Sequence, residues 1–196
     1  MKLNLTKLKI PKAELRSFSL TLVATLVGVF IAISLTDSGI RKKEKNDTIK
    51  LLNTSKLMLI KTKEYSLGMN KGVRELIKKD TLNTKENLAL LKTNNPIPFP
   101  YLLETVITNE IVSKNISEYS HGEIYTGLID LKKLANYQTI DFYEKSLSEL
   151  IALIDFEIQF QKGKLGKDEI ESKMKTKREE LKKNHSNKNI LEIGTE

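Results

Sequence analysis

Residues 18–35, FSLTLVATLVGVFIAISL, contain no charged side chain, and the run is fenced by Arg16 before it and by Asp37, Arg41, Lys42 and Lys43 after it. No other feature restricts this chain as strongly, because a helix that is apolar on every face has no side to turn towards water. At a rise of about 1.5 Å per residue, the 18 residues span about 27 Å, close to the ~30 Å hydrocarbon core of a bilayer. Eleven of them are Leu, Ile, Val or Phe, which at about −0.3 to −0.6 kcal/mol each contribute on the order of −3 to −7 kcal/mol to insertion. The expected layout is a basic tail over residues 1–17 and a transmembrane helix over residues 18–36.

Two other uses of such a run fit less well. The core helix of a water-soluble protein nearly always carries a charged stripe, and this run has none on any face. A cleaved signal peptide is suggested by the small-x-small triplet Ala32-Ile33-Ser34. The apolar run is nevertheless longer than the usual 7–15 residues or so of a signal peptide, and the tail of 17 residues before it suits an uncleaved anchor better.

The 160 residues after the anchor suffice for one domain with a hydrophobic core and are too few for two comfortable ones. The net charge of +8 gathers in three places. Residues 1–17 carry five Lys/Arg against Glu14, residues 37–50 carry five against three acids, and residues 162–189 carry ten against five. The first two flank the anchor, where basic side chains attract anionic head groups by about 1 kcal/mol each. Lys12, Arg16, Arg41, Lys42 and Lys43 are the expected lipid contacts. Lys/Arg counts on the two flanks tie at five each, so orientation rests on the habit of short basic tails to stay in the cytoplasm. The Lys-, Ile- and Asn-rich composition has a bacterial character. The expected location is the bacterial inner membrane, with a periplasmic domain. The absence of Cys is compatible with either redox compartment.

Beyond the anchor the pattern is helical throughout. Apolar residues Ile49, Leu52, Leu59, Ile60, Val73, Leu76 and Ile77 recur at steps suited to a helix over residues 40–79, with Gly68 and Gly72 as places for a kink, and Asp37-Ser38-Gly39 either ending or weakening the anchor helix. Thr84 and Glu86 open a short helix, and the prolines of Pro96-Ile97-Pro98-Phe99-Pro100 impose an extended connector. Pro100 then starts a helix to about Asn109, residues 113–117 are ambiguous, and further helices cover residues 118–137, 140–160 and 168–183. The 140–160 segment is apolar over most of its circumference and is expected at the centre of the domain. The expected fold is all-α, with one N-terminal transmembrane helix followed by an irregular antiparallel helical bundle over residues 37–184 and a flexible tail over residues 185–196.

Residues suited to chemistry are few. With no Cys and only His121 and His185, a His/Cys metal cluster is excluded, and a Ser/His/Asp arrangement would have to rest on His121. Neither Gly122 with Gly127 nor Gly163 with Gly166 is followed by the Lys-Ser/Thr of a phosphate-cradling loop. Asp155 shares a strip with Glu144, Ser148 and Gln159 that reads as solvated, whereas Glu157 falls between apolar faces and is harder to place. The basic run KMKTKREELKK over residues 173–183 reads as a solvated helix held by pairs such as Glu179 with Lys183. It lacks the interleaved aromatics of a nucleic-acid surface, so no nucleic acid is expected as a partner. One pattern with a mechanism lies inside the anchor: Ala24, Gly28 and Ala32 recur every four residues and form a smooth ridge of the kind through which membrane helices associate.

The stretch Gly28-Val29-Phe30-Ile31-Ala32-Ile33-Ser34-Leu35-Thr36-Asp37, with the charged helix start after it, resembles the anchor of a family of uncharacterised Bacteroidota membrane proteins. The resemblance implies a single-pass anchor leading into an all-helical domain, and it implies no activity. Together these readings describe a non-enzymatic, membrane-anchored interaction or scaffold component, without cofactor, whose partners are membrane lipid and a protein partner or a second copy. The alternative is an extracytoplasmic ligand-sensing helical domain that works with a separate output partner.

Overall fold

The computed structural model describes residues 12–78, 84–137 and 140–193, and within them all side chains except those of residues 12–19, 84, 85, 88, 92, 137 and 185–193. The described residues form seven helices and no strand: α1 (Lys12–Lys78), α2 (Thr84–Asn94), α3 (Tyr101–Ile107), α4 (Glu110–Asn115), α5 (Glu118–Tyr137), α6 (Ile140–Gln161) and α7 (Lys167–Ile193). The all-α fold read from the sequence is the one observed. The chain divides into two compact units, Met1–Lys43 and Glu44–Glu196. Most of the expected basic tail, residues 1–11, lies outside the described residues.

In the first unit, every described side chain from Leu20 to Lys43 is exposed. Thr25 and Thr36 donate their hydroxyls to the carbonyls of Thr21 and Ala32, at 2.8 and 2.9 Å. This satisfies both groups within the helix itself, as an apolar surrounding requires. Asp37-Ser38-Gly39 does not end the helix, and Gly68 and Gly72 do not break it, for α1 runs through both places.

The second unit is organised around α6, whose Tyr143, Leu147, Leu150, Leu153, Ile154 and Ile158 are all buried. Its neighbours add rows at helical spacing: Ile124, Leu128 and Leu131 from α5, Ile170 and Met174 from α7, and Leu103, Val106 and Ile107 from α3. The turn between α6 and α7 is closed by Gly163, at φ 71°, which only glycine adopts without strain. The Gly163 amide donates to the Phe160 carbonyl at 2.8 Å, and Lys164 donates to Gln159 at 2.9 Å, the bond pair of a left-handed helix cap. Glu169 then reaches back to the Gly166 amide at 2.6 Å and opens α7. That helix continues to Ile193, beyond the tail boundary read at residue 185.

The part of α1 in this unit runs antiparallel to α6, since Lys56 pairs with Asp155 while Asn70 bonds Asp141 at 2.9 Å. Its fully buried positions are Thr48, Leu52, Ser55, Leu59 and Ser66, spaced at alternating steps of four and three with one step of seven, the narrow seam of a coiled coil. Of the apolar positions read on this segment, Leu52 and Leu59 are fully buried, whereas Ile77 is 54% exposed. The strip Glu144, Ser148, Asp155 and Gln159 is consequently not a solvated face. Glu144 is buried and the other three are half-buried; α1 brings Asn70 to Glu144 and Lys56 to Asp155, while Ser148 and Gln159 bond within α6.

Gly127 lies where α5 packs tightly on α6: a Cβ there would stand 2.7 Å from Leu150 Cδ2 and 3.1 Å from its Cγ. A small shift of the Leu150 methyl accommodates one carbon, and the better helix propensity of alanine offsets it. Gly127→Ala is therefore expected to leave stability within about 1 kcal/mol, and Gly127→Leu to lower it by about 1–3 kcal/mol, read from denaturant midpoints followed by far-UV circular dichroism.

Candidate functional site

The ridge residues Ala24, Gly28 and Ala32 lie in the first unit, and all three are exposed. A Cβ on Gly28 would meet nothing within 4 Å, so this face is open to another helix or to lipid chains. Arg41, Lys42 and Lys43 follow in the same helix with exposed side chains. Lys12 and Arg16 belong to α1, and their side chains lie outside the described ones.

In the second unit, the hard-to-place Glu157 is a buried structural clamp. Its side chain is 0% exposed and accepts from the Ser117 amide at 3.1 Å, the Ser117 hydroxyl at 2.7 Å and Gln161 Nε2 at 2.8 Å. Ser117 immediately precedes α5, and its Oγ accepts from the Ser120 amide at 3.2 Å, which makes it the helix N-cap. The carboxylate thus supplies from α6 what a glutamate in the third position of the helix would supply locally, at the end where the helix dipole favours negative charge. One turn further on, Gln161 Nε2 also donates to the Asn115 carbonyl at 2.7 Å, so α6 holds both ends of the α4–α5 junction. His121 is half-buried in the first turn of α5, its amide donating to the Ser117 carbonyl at 2.9 Å.

Three further polar contacts fix the helices to one another. The Tyr143 hydroxyl donates to the Pro98 carbonyl and ties the proline connector to α6, and burial pushes the Tyr143 phenol well above the usual range. Burial works against the charge of Asp155, but hydrogen bonds from Lys56 and Gln159 and the charge of Lys56 outweigh it and hold the carboxyl below its ordinary value. Burial likewise opposes the charge of Arg178, and its pairing with Glu123, reinforced by Glu149 at 3.3 Å, holds that charge in place. Arg178 is therefore a link from α7 to α5 and α6, whereas the sequence marks it as one of many solvated bases. Next to it the Lys177–Glu180 pair, at 2.9 Å, is one of the contacts within α7.

Among the described residues no group of three or more His, Cys, Asp or Glu side chains is placed to hold a metal ion. Among the described residues the larger concavities include two open grooves, one of about 360 Å³ lined by Lys63, Leu67, Glu144, Lys145 and Leu181, and one of about 570 Å³ lined by Tyr119, Glu123, Glu171, Lys175 and Arg178. Compared with known proteins, the chain matches no family, no curated protein and no solved structure.

Glu157→Ala leaves the buried Ser117 amide without an acceptor and is expected to cost about 3 kcal/mol, with Glu157→Gln costing less because its amide oxygen still accepts one bond; denaturant unfolding measures both. The depressed Asp155 carboxyl adds stability that is present in full above its unfolded value of 3.8 and is lost as pH falls through the lower folded value. Asp155→Asn is expected to flatten that acid limb of the stability profile while leaving the basic side unchanged.

Proposed function

We propose that this chain is a non-enzymatic, single-pass membrane protein whose helical bundle acts as an interaction or scaffold component of a membrane complex in the bacterial inner membrane. The reading rests on one contrast. The apolar stretch of α1 is long enough to cross a bilayer, and none of it is buried, whereas the second unit gathers apolar rows from several helices into a buried core of its own.

The half-buried and buried charged side chains Glu157, Asp155 and Arg178 are engaged in holding helices together. Its grooves are open and lined largely by charged side chains, a character suited to protein contact rather than to enclosing a small molecule. With the short basic tail in the cytoplasm, the bundle lies on the periplasmic side. Membership in the Bacteroidota family that the anchor resembles belongs to the same proposal.

The partner is a protein or a second copy of the chain, and the ridge Ala24, Gly28 and Ala32 is the contact expected for the second copy. Co-purification in mild detergent after cross-linking is expected to yield a stoichiometric partner or a dimer. Gly28→Ile is expected to reduce self-association severalfold in a membrane reporter assay. A monomer that binds nothing under these conditions contradicts the proposal, and digestion of the bundle by protease added to intact spheroplasts checks its side of the membrane.

A further inference from the structure

We propose that Lys45, Lys162 and Lys164 form a second lipid-docking surface, at the end of the bundle that begins at Glu44, and that it engages anionic head groups of the bilayer in which the chain is anchored. The inference rests on the anchor reading above. In the sequence, Lys162 and Lys164 belong to a basic region more than a hundred residues from the apolar run, and no linear argument brings them near a membrane.

The packing of α1 on α6 does. Lys56 meets Asp155. Lys45 precedes Lys56 by eleven positions, about three turns, and so lies on the same face of α1. Glu44, next to Lys45, pairs with Lys114, and Gln161, at the end of α6, donates to the carbonyl of the adjoining Asn115. Lys45 and the α6–α7 turn that follows Gln161 are thereby held at the same end of the bundle, around the end of α4. Lys162 and Lys164 are exposed in the turn, and Lys162 is close enough to Asp155 for its charge to contribute to that carboxyl's depression.

The turn is a fixed platform. Gly163 and Lys164 close the end of α6, Leu165 is buried beneath, and Gly166 is held by Glu169.

Acids at this end of the bundle are engaged or lie on other faces. Glu44 pairs with Lys114 at 3.5 Å. Asp47 follows Lys45 by two positions and so faces away from it. Glu169 is occupied by the Gly166 amide, and Asp168 lines a groove with Glu118 and Glu123 on the α5 side.

The occupant follows from tethering. Glu44 comes eight positions after Thr36, so the chain keeps this end within about 28 Å of the bilayer surface even when fully extended. Attraction too weak to recruit a free protein suffices for one already held there.

The experiment uses the full chain, which contains no Cys, reconstituted in nanodiscs with acceptor-labelled lipid. A donor dye is placed at Lys167→Cys beside the patch or at Lys133→Cys at the far end of α5. Energy transfer from position 167 is expected to be higher in phosphatidylglycerol-containing than in pure phosphatidylcholine discs. The difference should vanish near 1 M salt, where the screening length falls to about 3 Å. Each Lys→Gln change at 45, 162 or 164 should lower the docked population about fivefold.

Transfer from position 133 is the control for a change in the bundle as a whole. Transfer at position 167 that ignores lipid charge, in a chain that resists carbonate extraction, overturns the docking surface and leaves the anchor intact. A lipid-charge response that survives the triple Lys→Gln variant also overturns it. Extraction of the chain by carbonate overturns both readings.

Discussion

Ten large apolar side chains between Leu20 and Leu35 each leave half or more of their surface uncovered. In water that much bare hydrocarbon, on one helix without a charge, costs about 25 cal/mol for every Å² left wet. The helix satisfies its own backbone, and Thr25 and Thr36 satisfy theirs on it, so no polar group of these is stranded in lipid. This surface is satisfied by a hydrocarbon solvent. The proposed tethering of the bundle, and its proposed action by contact, both require that solvent.

The bundle solves a different problem, that of holding unequal helical pieces together around a single well-buried rod. α6 contributes a broad apolar circumference, and α5 and α7 cover two sides of it with matching rows. The third side goes to α1, and there the contact is largely polar: Thr48, Ser55 and Ser66 fill core positions, and Lys56 and Asn70 reach the carboxylates of α6. The ion pair and hydrogen bonds between long side chains fix the register of the two helices. Two buried hydroxyls, those of Ser55 and Ser120, have no hydrogen-bond partner among the described residues, so this packing is achieved at some cost in polar satisfaction.

What the sequence announces and what it conceals divide along physical lines. The apolar run, the boundaries of α5, the span of α6 and the glycine turn after it are all legible, because burial, proline and glycine leave local marks. The seam on α1 is not, since serine and threonine carry no hydrophobic signal even at regular spacing. Nor is the clamp at Glu157, whose partner Ser117 lies 40 residues away; the only local hint is a serine standing just before a helix. Asp155 and its strip read as solvated because a helical wheel shows which side of α6 is polar and cannot show that α1 brings polar partners to it.

The partition between lipid and water is tested most directly by a carbene reagent dissolved in the bilayer, activated by light, with adducts mapped along the full chain. The account predicts adducts across residues 18–36 and none on the buried rows of α5 and α6. An unlabelled 18–36 segment, or labelling spread through the bundle, would contradict it.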